Sequence, residues 1–73
     1  MSDLKIYIKR LIDLRVDNDL TQSEVAKVLN KSQQGYAHIE NGRANISVDD
    51  IINLCKFYKV SSEYVLGFTD EIK

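Results

Sequence analysis

Two adjacent glutamines and a histidine one turn further on, Gln33, Gln34 and His38, are the side chains of this chain best suited to recognition chemistry. A glutamine amide carries an acceptor and two donors. Each of Gln33 and Gln34 can therefore bond bidentately to N6 and N7 of an adenine, worth about 1–3 kcal/mol of discrimination per good pair. His38, one turn beyond Gln34, could donate to a guanine or a phosphate, more strongly in its protonated form. Catalysis and metal binding find no comparable constellation. The single cysteine and single histidine have no second ligand at metal spacing. There is also no paired-carboxylate arrangement, no nucleophile with a base and no phosphate-cradling glycine loop. We expect no enzyme, no metal and no cofactor.

The elements that must hold these side chains lie between Thr21 and Gly42. Thr21 with Glu24 fits a capping box, in which hydroxyl and carboxylate satisfy each other's backbone N–H groups. Val25, Ala26 and Leu29 then form one apolar helical face. Asn30 stands at the break, where a left-handed residue is needed. Ser32 caps a second helix, running Gln33 to about Glu40, with Tyr36 and Ile39 turned inward. This is helix-turn-helix geometry, commonly used to lay the second helix in the major groove of DNA.

Around this pair the spacing predicts three more helices. The first spans about Asp3 to Asp17, with Leu4, Ile8, Leu11, Leu14 and Arg15 on one stripe. Lys5, Lys9 and Arg10 read as solvating charges, and Leu20 as a hydrophobic staple against Val25. Asn41-Gly42 stops the recognition helix and Ser47 caps the fourth, whose inner face is Ile51, Leu54, Cys55 and Tyr58. A short fifth helix follows Val60 and Ser61, Val65 and Leu66 close the core, and Gly67 ends it. The expected fold is all-α: one compact five-helix domain over 1–73, with a core of about 4–67 and a flexible tail at 68–73. A chain of 73 residues buries only about 60% of its unfolded surface, which favours such a local, helical core.

No run of about 18 apolar residues and no signal-peptide pattern is present, so a soluble cytoplasmic protein is expected. The net charge of -1 is unusual for a nucleic-acid binder. Its distribution softens the objection: residues 1–47 hold seven basic and six acidic side chains, and residues from 48 onward three and five. If Glu40 is neutralised internally, the recognition face keeps Lys27, Lys31 and Arg43 with little acid nearby. Modest non-specific affinity and a shallow salt dependence are expected.

Taken together, TQSEVAKVLN, KSQQGYAHIENGR and SVDDIINLCKFYKVSSEYVLG resemble the Cro/cI-type (XRE) helix-turn-helix domains of phage repressors and bacterial regulators, from about Ile8 to Gly67. The resemblance implies that Gln33, Gln34 and His38 reach base edges. It implies that Gln22 anchors a backbone phosphate and braces the first recognition-helix side chain, and that Ser32, Asn41 and Arg43 meet the sugar-phosphate backbone. Arg15 and Glu40 match a structural ion pair. Lys31 stands where the family often has an aliphatic residue and can gain a phosphate contact. Asn30 replaces the usual turn glycine, and His38 stands where longer amides or arginine are common.

Plainer roles compete with several of these. Glutamine is a good surface helix former, and lysines commonly do no more than solvate a face. Gly35 suggests close approach of backbone to the preceding helix or to DNA, and Cys55 reads as a small core residue. Ile52 and Phe57 fall off the inner face of the fourth helix and, with the fifth, are a candidate dimer patch. The reading is a sequence-specific double-stranded-DNA-binding transcriptional regulator, a bacterial or phage repressor. It would read a palindromic operator as a homodimer that forms on DNA. The alternative is a protein-interaction module, such as the antitoxin of a toxin–antitoxin pair, with or without DNA binding.

Overall fold

A computed structural model describes residues 4–72. Its elements are α1 (Ile6–Asp17), α2 (Gln22–Val28), α3 (Gln33–Glu40), α4 (Val48–Tyr58) and α5 (Ser62–Leu66). Among the described residues the architecture is all-helical. The expected start of the first helix at Asp3 falls outside them. Helical structure begins at Ile6, after an extended Lys5 whose side chain makes no capping bond.

Four of the five helices open on a hydroxyl. Thr21, Ser32, Ser47 and Ser61 each accept from the backbone N–H three residues on, at 3.0–3.1 Å. Such a cap contributes about 1 kcal/mol. Glu24 completes the box at Thr21 by accepting from the Thr21 N–H at 2.8 Å. The turn between α2 and α3 depends on Asn30, left-handed at φ 60°, which lets the Lys31 N–H reach back to the Ala26 carbonyl at 2.9 Å. After α3 the same purpose is served by Gly42, at φ 83°.

The core takes Ile8, Leu11 and Leu14 from α1, Val25 and Ala26 from α2, and Tyr36 and Ile39 from α3. Leu29, Ile51, Leu54, Cys55 and Val65 complete it. Leu4 precedes α1 rather than lying on it, yet still packs against this core. Leu66 departs from expectation: Val65 is fully buried and seals the core, while Leu66 is 40% exposed. Gly35 departs from one of its two expected uses, close approach to the preceding helix. A Cβ there would meet only the Ser32 hydroxyl, 3.1 Å away, so the small residue makes room for the cap and not for the helix before it.

Arg10 is more than a solvating charge. Its guanidinium lies 4.4 Å over the Tyr64 ring and donates to the Tyr64 carbonyl at 2.7 Å, the Thr69 carbonyl at 2.6 Å and the Asp70 carboxylate at 2.9 Å. It fastens the end of α5 and the residues beyond it to α1.

Candidate nucleic-acid interface

α2 packs chiefly on α3, and a line of polar side chains crosses their junction. At its inner end Arg15, on α1, meets Glu40, the last residue of α3. Nε donates to Oε2 at 2.7 Å and an η nitrogen to Oε1 at 3.1 Å. The other Arg15 η nitrogen donates to the Leu20 carbonyl at 2.9 Å. Gln22, the first residue of α2, donates to Glu40 Oε1 at 3.0 Å. Gln33, the first residue of α3, donates in turn to Gln22 Oε1 at 2.9 Å.

The order of donors along this line is forced. A carboxylate only accepts, so Gln22 must turn its NH2 group to Glu40 and its oxygen outward. That oxygen then takes an N–H from Gln33. One N–H on Gln22 remains uncommitted, and so do one N–H and the oxygen of Gln33. The Gln33 pair is the donor–acceptor combination that a bidentate adenine contact requires.

Glu40 is 7% exposed. Burial alone would raise its pKa, but the Arg15 and Gln22 hydrogen bonds and the nearby Tyr36 hydroxyl outweigh burial and hold it below the ordinary value. Glu40 is thus an internal counter-charge and adds no repulsion at the surface. Burial and the same carboxylate push the Tyr36 hydroxyl far up, and burial pushes Tyr58 to about 12. The Cys55 thiol, raised by burial, is an inert core group.

The other candidates are arranged around the start and end of α3. Gln34 is exposed and its side chain has no hydrogen-bond partner among the described residues. His38, expected on the same open face, is half-buried. Its carbonyl receives the Arg43 and Ala44 N–H groups at 2.9 and 3.1 Å, folding the loop after Gly42 back against α3. The Asn41 side-chain oxygen also accepts from the Arg43 N–H, at 3.1 Å. Asn41 therefore shapes the loop that carries the exposed Arg43 and keeps its NH2 group available. Ser32 Oγ accepts the Gly35 N–H at 3.0 Å and can still donate its own proton.

Lys31 differs from expectation. Its ammonium is 3.3 Å from the Asp50 carboxylate, in the first turn of α4. The recognition face therefore does have acid beside it. Local spacing gives no sign of this pair, because it is the fold that brings α4 beside the α2–α3 turn. Arg10 escaped notice for the same reason: its partners are 54 to 60 residues away.

Ile52 and Phe57 are exposed, at 42% and 43%. Five residues apart on α4, they are separated by about 140° around the helix axis. A cleft of about 180 Å³ opens between the start of α1 and the loop after α3, lined by Leu4, Tyr7, Ile39 and Ile46 among others. It is smaller than the roughly 300–1,000 Å³ of ordinary small-molecule pockets. No described helix is long and apolar enough to cross a membrane.

The helix-turn-helix family profile matches residues 11–65, three-quarters of the chain, and the chain belongs to that family. It is similar to the uncharacterized HTH-type transcriptional regulator YobD of Bacillus subtilis, with 30% identity over 66 residues, covering 90% of this chain and 59% of YobD. It is also similar to the antitoxin PezA of Streptococcus pneumoniae, with 32% identity over 59 residues, covering 81% of this chain and 37% of PezA. The chain thus spans between about a third and three-fifths of the length of these relatives. No solved structure gives a significant match.

Proposed function

We propose that this chain is a sequence-specific, double-stranded-DNA-binding transcriptional regulator, a repressor acting in a bacterial or phage-infected cytoplasm. α3 enters the major groove with Gln33, Gln34 and His38 towards base edges. Gln22, Ser32, Asn41 and Arg43, with part of Lys31, meet the sugar-phosphate backbone. The observation that carries this reading is the polar line from Arg15 to Gln33. It holds an amide with one donor and one acceptor to spare at the start of a capped helix, beside the unbonded Gln34. Similarity to a protein named as a transcriptional regulator supports it. Nothing in this mechanism calls for enzymatic chemistry or a cofactor.

We further propose a homodimer on a palindromic operator, formed on the DNA. The Cα atoms span 30 × 28 × 22 Å, so two copies reading half-sites about 34 Å apart on one DNA face stand side by side. Selection from a random duplex library tests this reading. A palindromic consensus is the expected result, and absence of any enrichment would contradict it.

The likeness to an antitoxin favours one second reading, a surface for a protein partner, with or without DNA binding. Phe57, an aromatic side chain exposed on α4, is a candidate anchor for it. Phe57→Ser should release such a partner and leave DNA binding by the single domain unchanged.

A further inference from the structure

The α2–α3 turn and the first turn of α4 come together at a single ion pair, Lys31 with Asp50, whose place in the fold gives it a consequence for DNA binding. Lys31 directly precedes Ser32, the cap of α3, and its backbone is pinned by the bond from its N–H to the Ala26 carbonyl. Asp50 is equally fixed, since its N–H is held by Ser47 Oγ at 3.0 Å. With both backbones anchored, the Lys31 ammonium rests 3.3 Å from a carboxylate that is only 14% exposed, while Lys31 itself is 36% exposed. Lys31 is thus a cation at the entrance of the recognition helix, with an acid built in beside it.

We infer that Asp50 attenuates DNA affinity by holding Lys31 back from the phosphate backbone; the inference rests on the regulator reading above. The Lys31 end of the pair is open to solvent, with the side chain 36% exposed, so screening leaves the pair weak enough for a phosphate to compete with it. Lys31 is therefore divided between the two anions and releases less than one counterion on binding. Because phosphates carry no sequence information, the attenuation acts equally on all duplexes. It keeps a chain whose net charge is only -1 from relying on charge, and leaves discrimination to the amides of α3.

The test is titration of wild type, Asp50→Asn, Lys31→Met and the double variant against the selected duplex and a scrambled one over a range of salt concentrations. Asp50→Asn should bind both duplexes roughly fivefold more tightly near 0.15 M salt, with a slope of log K against log salt steeper by up to about 0.9 per domain. The ratio of selected to scrambled affinity should stay the same. In the Lys31→Met background the Asp50→Asn gain should vanish. An unmoved salt slope, or a gain that persists without Lys31, would overturn the inference while DNA binding itself stands. A merely structural pair would lower the melting temperature of Asp50→Asn and leave the slope alone, which also overturns it. Absence of binding by every variant to either duplex would overturn the regulator reading, and this inference with it.

Discussion

At the scale of single residues the structure turns on Glu40. A carboxylate 7% exposed is tolerable only because Arg15 and Gln22 supply three hydrogen bonds to it. A buried ion pair adds little net stability, but removing one partner strands the other charge, at about 3–5 kcal/mol. Arg15→Met should therefore lower the unfolding free energy by about 3 kcal/mol at neutral pH, read from urea denaturation. The pH dependence has a definite sign. Glu40 holds its proton more weakly in the folded chain than in the unfolded one, where its pKa is near 4.5. Its contribution is complete above that value and is lost as pH falls through the lower folded value. The gap between wild type and Arg15→Met should accordingly narrow in acid. A gap that is constant with pH would show that Glu40 is not the group stranded.

At the scale of elements, helix starts and stops divide the chain. Among the described residues five take left-handed backbone, and three of them are not glycine: Asp19, Asn30 and Lys59. Lys59, at φ 60° just after α4, gains nothing from the conformation that glycine would not supply, and an L-residue there costs about 1–2 kcal/mol. After allowance for the greater freedom of glycine in the unfolded chain, Lys59→Gly should stabilise the domain by roughly 0.5–1 kcal/mol. Thermal unfolding checks this, and a lower melting temperature would contradict it. These local rules are also why the helix-turn-helix could be read from sequence: capping hydroxyls, Asn30, Asn41-Gly42 and the apolar spacing all act within four residues. α1 was less legible at its start, because Lys5 offers no cap signal. The Lys31–Asp50 pair and the Arg10 clamp were not legible, because both depend on which helices become neighbours.

At the scale of the whole molecule, the proposed function has the chain meet a polyanion while carrying a net charge of -1. Glu40 is neutralised within the fold, Asp50 is paired with Lys31, and the exposed Arg43 lies in a loop folded against α3. On the proposed reading, charge brings such a domain to DNA only weakly and the amides of α3 supply the selectivity. The most direct measurement is the ratio of affinities for the selected and scrambled duplexes, compared between wild type and Gln34→Ala at one salt concentration. Loss of a bidentate base contact should cut that ratio by about 5- to 150-fold, the equivalent of 1–3 kcal/mol, while affinity for the scrambled duplex stays unchanged. An unchanged ratio, or an equal loss on both duplexes, would contradict base reading by α3.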